Sequence, residues 1–153
     1  MRSPDTAIPE GFLRLDLSKS LFLDTNGPFY VRRDGDDVTL GMRIEARHCN
    51  SMGTMHGGMV TAFADVSLTV GANIIARTRR FLTTLSMTCD YVGPARPGDW
   101  IEAPVQVIRV TRAYVFAQAV IAVRAGAPVA RISGTLLVRG EPDPKYDGER
   151  FFR

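Results

Sequence analysis

One stretch of this chain, residues 57–76, is spaced for a helix, and most of the remainder is spaced for strands. Met59, Phe63, Val66, Val70 and Ile74 recur at steps of three and four, the period of one helix face. Gly58, Ala62, Asp65, Thr69 and Ala72 form a second stripe of small and polar residues. Gly71 sits inside the helix, where glycine costs about 1 kcal/mol against alanine. It therefore marks a place where another element packs tightly. A single long helix covers only one face of a sheet. Whatever sheet surrounds it must leave its other face to water or to a second subunit.

The strands follow from alternation and turns. Residues 29–33 and 38–45 read as a pair joined by Asp34-Gly35-Asp36-Asp37, a hairpin signal. After the helix, residues 82–92 alternate, and Gly93-Pro94-Ala95-Arg96-Pro97-Gly98 breaks the run. Residues 100–110, 114–124 and 127–139 supply three further strands. Residues 114–123 are apolar on both faces, as suits a strand inside the sheet. The prediction is an α+β fold: one long helix on a curved, mostly antiparallel six-stranded sheet. Residues 1–27 are expected to form an N-terminal arm, loose up to residue 11, with a short helix and connector over 12–23. Residues 28–139 form the domain and 140–153 an irregular tail.

At 153 residues, the chain suits one domain with a real core. Its net charge of +3 is modest and no Lys/Arg block appears, so no nucleic-acid partner is expected. Arg77, Arg79 and Arg80 suit the C-terminal end of a helix, where cations oppose the dipole, or a phosphate. Cys49 and Cys89 form no disulfide framework, which predicts a reduced, cytoplasmic protein. The first residues lack the apolar run of a signal peptide. No apolar run is expected to span a membrane.

Chemistry concentrates between Asn50 and Asp65. His56-Gly57-Gly58 opens the helix, where backbone N–H groups lack intrahelical partners and lie at the positive end of the dipole. Such donors can hold a carbonyl oxygen as it gains charge. Asp65 lies mid-helix, where aspartate has poor propensity and nothing to cap, which favours a functional role over a structural ion pair. His56 is read as orienting the loop rather than transferring protons. Asn50 alone would be a turn former. Cys49 beside His48 admits a thiol-hydrolase reading with Asp65, but neighbours in an extended segment point apart. Two histidines without further ligands at suitable spacing argue against a catalytic metal.

Asn50-x-x-Gly53-x-x-His56-Gly57-Gly58 followed by Ala64-Asp65 resembles the hotdog-fold thioesterases of the phenylacetate-pathway type. Tyr91-x-Gly93-Pro94-Ala95-Arg96-Pro97-Gly98-Asp99 and Val129-Ala130-x-Ile132-Ser133-x-Thr135 resemble later parts of the same family. The resemblance covers about residues 28–139. It implies a helix wrapped by a curved sheet, built as homodimers and as dimers of dimers. It also implies hydrolysis of acyl-coenzyme A without metal or bound cofactor. By the same resemblance, Gly57 N–H polarises the thioester carbonyl with Asn50 assisting, and Gly58 lies at the substrate. Asp65 is general base or nucleophile, and Thr84 sits near the attacking water. Plain alternation puts Thr84 on the face opposite Leu85 and Met87, so that last role requires a bulge. Arg96 and Arg112, on turns, are candidates for coenzyme A phosphates.

Helix rise adds one inference. Gly57 and Asp65 are separated by eight residues, about 12 Å along a helix axis. A base acts within roughly 3 Å of its target or through one water. One chain's Gly57 and Asp65 therefore do not serve one carbonyl, whereas an antiparallel partner helix would bring them together. The competing readings are a hotdog hydratase or dehydratase, and a non-catalytic acyl-CoA-binding protein. The chain lacks the Asp-x-Asn-Pro-x-His pattern of one hydratase group, and it keeps Asp65. The acyl group remains open.

Overall fold

A computed structural model describes residues 7–17 and 20–153 of the chain. The part of the expected loose arm that falls on residues 1–6 lies outside the described residues. Seven strands form one antiparallel sheet: β1 (Leu13–Arg14), β2 (Tyr30–Asp34), β3 (Asp37–Arg43), β4 (Phe81–Tyr91), β5 (Trp100–Val110), β6 (Tyr114–Val123) and β7 (Pro128–Arg139). Their order is β1-β2-β3-β5-β6-β7-β4. A short helix, α1 (Leu21–Asn26), precedes β2, and the long helix α2 (Gly57–Ala76) lies between β3 and β4. This is the α+β hotdog arrangement that the sequence predicts, with β6 inside the sheet.

The strand count is seven rather than six. The added strand, β1, pairs Leu13 with Val31 and Arg14 with Tyr30. Two residues are too few to show a period. What holds them is a small outer cluster, in which Phe12 meets Trp100 edge-on at 5.1 Å and Tyr30 lies 5.3 Å from the same ring. Gly41 lies beneath, because a Cβ there would stand 2.5 Å from Trp100 Cζ2.

Helix α2 is buried through Phe63, Ala64, Leu68 and Ala72 against Leu40, Met42, Ile101, Val115, Ile121, Ile132 and Leu136 from the sheet. Gly71 explains itself: a Cβ there would lie 2.6 Å from Val105 Cγ2 and 2.9 Å from Val105 Cβ. By length and composition alone α2 is long and apolar enough to cross a membrane, which corrects the expectation that no apolar run reaches that length. Its apolarity has another cause, since the sheet curls around it and buries more than half of its most apolar window.

Two features of the sheet position the site. β4 is an edge strand of 11 residues whose outer side pairs with nothing among the described residues. β4 also carries a bulge, with the register against β7 shifting between Thr84 and Ser86. Leu85 is the extra residue and turns outward, 58% exposed. The tail is more ordered than expected. Turns of 3-10 helix at Pro144–Tyr146 and Gly148–Phe152 return it to the end of α2.

Candidate active site

The loop before α2 is built by its own polar groups. Asn50 Oδ1 accepts from the N–H groups of Met52 (2.9 Å) and Thr54 (3.3 Å), and Asn50 Nδ2 donates to Thr54 Oγ1 at 3.1 Å. Gly53 takes φ +72°, which only glycine adopts freely. Thus Asn50 is visibly a turn former, and one of its side-chain donors is already used. His48 is buried at 3% exposure, with Nδ1 accepting from Glu45 N–H at 3.0 Å. Burial, joined by the nearby Arg47 charge, pushes its imidazole below the ordinary histidine range. Burial raises the Cys49 thiol instead. A raised thiol beside an occupied imidazole is a poor nucleophile, so the Cys49–His48 reading loses its footing.

At the helix start the two glycines differ. His56 is the N-cap, and its Nδ1 accepts from Gly58 N–H at 2.9 Å. The Gly57 N–H meets no acceptor among the described residues. Gly57 therefore holds the open donor and Gly58 does not. Tyr91 closes this end: its ring lies 3.4 Å from where a Gly57 Cβ would be, and its hydroxyl is 2.5 Å from Thr61 Oγ1. Sequence reasoning gave Tyr91 no role. The available signal was its place at the end of β4, beside a strong break.

Two turns along α2, Asp65 is half-buried and its Oδ1 accepts from Thr84 Oγ1 at 2.5 Å. The bulge at Leu85 makes this contact possible. It keeps Thr84 on the helix side of β4 while Ser86 and Thr88 face away with the outer sheet surface. Asp65 and Thr84 stand at the edge of a cavity of about 500 Å³. Val66 and Val70 of α2, Phe81 and Leu82 of β4, Leu23 of α1 and Phe151 of the tail line it. A carboxylate and a hydroxyl side by side at an apolar cavity can hold and deprotonate a water.

The structure thus gathers the predicted residues into two groups. His56, Gly57 and Gly58 stand at the helix start beside the Asn50 loop; Asp65 and Thr84 stand about 12 Å along the same axis. The arginines are not brought together. Arg96 is on the turn before β5 and Arg112 on the turn after it, roughly 30 Å apart along an 11-residue strand. Both are exposed.

Comparison with known proteins gives the family. Residues 52–129, from the loop through α2, β4, β5 and β6 to the start of β7, match the model of the Thioesterase superfamily. The chain belongs to the thioesterase superfamily. A Pseudomonas aeruginosa protein named as an esterase is 36% identical over 113 residues, covering 73% of this chain and 84% of that one. Among solved structures of the superfamily's fold, the E. coli PaaI protein from the phenylacetic acid degradation operon superposes with TM-score 0.71. It is 19% identical, covering 81% of this chain and 88% of that one. Zebra fish thioesterase superfamily member 2 is 25% identical with TM-score 0.70, over 79% and 89% of the two chains. A Streptococcus pneumoniae thioesterase solved with coenzyme A is 15% identical with TM-score 0.69, over 80% and 98%.

Proposed function

We propose that this chain hydrolyses acyl-CoA thioesters, with Asp65 activating water or attacking the carbonyl and a Gly57 N–H holding the developing oxyanion. The observation that carries the reading is the Asp65–Thr84 pair at the edge of an apolar cavity, on a helix whose first N–H is open. The esterase-named relative and the neighbour solved with coenzyme A support the substrate class. Thr84 donates to one carboxylate oxygen, leaving the other to take a proton from water or to approach carbon. His56 holds the helix start in register, its Nδ1 accepting from Gly58 N–H. Arg96 lies nearer the helix start than Arg112 and is the better partner for a coenzyme A phosphate.

The 12 Å between Gly57 and Asp65 requires two chains per site. The open edge of β4 supplies the means. Two copies of an unpaired strand join antiparallel about a two-fold axis, which sets their helices side by side and antiparallel. Asp65 then meets Gly57 of the partner subunit. Exposed apolar residues on the outer sheet face, Ile108 and Val120, favour pairing of dimers into a homotetramer. The unpaired Cys49 and Cys89 accord with a cytoplasmic setting.

The test is thiol release from a panel of aryl- and fatty-acyl-CoA substrates, with and without EDTA. Release is expected in both conditions. Asp65→Asn should lower kcat on the order of 10² or more while leaving the circular dichroism spectrum unchanged. Complete dependence on a divalent ion, or near-normal turnover in Asp65→Asn, contradicts the reading.

A further inference from the structure

The cavity at Asp65 is walled in part by residues outside the matched stretch 52–129. Phe151 and Tyr146 come from the tail and Leu23 from α1. These segments are fixed in place. Arg33 on β2 holds Glu149 through two hydrogen bonds, at 2.7 and 2.9 Å, and its guanidinium lies 3.9 Å from the centre of the Phe152 ring. Gly148 rests directly on α2, since a Cβ there would meet Ile74 Cγ1 at 2.7 Å. Arg79, just past α2, approaches Asp147 at 3.6 Å, and its carbonyl accepts from Asp143 N–H at 2.8 Å. A polar tail whose two terminal phenylalanines are folded back against the core cluster is a built wall.

We infer that this wall closes an acyl pocket, and that the C-terminal segment sets the length of acyl group the protein accepts. The inference rests on the thioesterase reading and deepens it. Asp65 and Thr84 stand together in the cavity lining, Ser20, Asn73 and Arg150 also reach it, and most of the lining surface is apolar. A thioester whose carbonyl lies at Asp65 can send only its acyl side into such a space. The coenzyme A side, charged and large, must leave through the mouth. The cavity follows α2 from Asp65 to Asn73, about 12 Å of helix, the reach of a straight acyl chain of roughly eight to ten carbons. Its volume of about 500 Å³ lies in the range of small-molecule pockets. Medium-length apolar acyl groups, and aryl-acyl groups of similar reach, are the class that fills it.

Binding of S-alkyl coenzyme A thioethers, which cannot be hydrolysed, tests the pocket apart from the chemistry. Affinity should rise by about fourfold per added methylene up to roughly eight to ten carbons, and then level. Phe151→Ala should lower the ratio of decyl to butyl affinity on the order of tenfold. Val70→Phe, which fills the cavity from the helix and leaves the tail alone, should move the optimum to shorter chains. The same shifts should appear in kcat/KM for the matching thioesters. A flat chain-length series, or variants that lower all members by one factor, overturns the inference. A chain-length gradient without thioester hydrolysis upholds the pocket and overturns the hydrolase reading instead.

Discussion

Gly57 and Gly58 are adjacent and identical in sequence, yet their amides have different fates. Gly58 N–H is capped by His56 Nδ1 while Gly57 N–H is open. No spacing rule separates the two, because the distinction depends on which way the His56 ring turns. Proline suits the first helical position, where its missing N–H has no intrahelical use. His56 already has φ −63° and ψ 137°, the conformation required before proline. Gly57→Pro should therefore fold normally and lose about 10²–10³ in kcat, the usual effect of removing one oxyanion donor. Equal activity in the variant, measured by thiol release, would remove Gly57 from the site. His48 gives a second prediction at this scale. Burial holds its folded pKa below the ordinary value of 6.5, so the unfolded chain binds a proton that the folded chain refuses. Stability is then complete above the unfolded value and falls as pH drops below it. Melting temperature should decline between about pH 6.5 and 5, ahead of carboxylate protonation. A His48→Gln variant should flatten that slope; an unchanged slope contradicts it.

Elements with a strong period were legible in the sequence, and those shaped by a local exception were not. The spacing of Met59, Phe63, Val66 and Ile74 marks α2 with the bounds that the structure shows. Alternation bounded by the Gly-Pro break and the Thr111-Arg112 turn marks β5. The bulge at Leu85 is different. It interrupts a strand without glycine or proline, so plain alternation puts Thr84 on the wrong face, and the register against β7 and the contact with Asp65 reveal the slip. β1 is too short for any period, and the tail folds back through the Arg33–Glu149 and Arg79–Asp147 pairs and the contact of Gly148 with Ile74. The glycine inside α2 was legible in kind, and its neighbour is now known. Gly71→Ala would press a methyl into Val105, whose β-branched side chain has few other rotamers. Overpacking of this sort costs about 1–3 kcal/mol, against a helix-propensity gain of about 1 kcal/mol. A lower urea midpoint with unchanged slope is the expected result, and a raised midpoint would show that β5 yields easily.

At the scale of the whole molecule, the proposed site is divided between two places on one helix. The helix that carries the open amide also carries the carboxylate, about 12 Å further on, and the strand beside it offers an unpaired edge. In the proposed dimer, pairing through β4 would complete two sites at once, so dimer formation and activity should be lost together. The direct test mixes Gly57→Pro with Asp65→Asn, each inactive alone, under conditions that exchange subunits, with mass spectrometry to count heterodimers. Each heterodimer then has one site with both defects and one with neither. Thiol release should return to about half of the wild-type rate per heterodimer, as two-fold symmetry requires. Confirmed exchange with no return of activity would contradict this, placing both residues in the same site of a single chain.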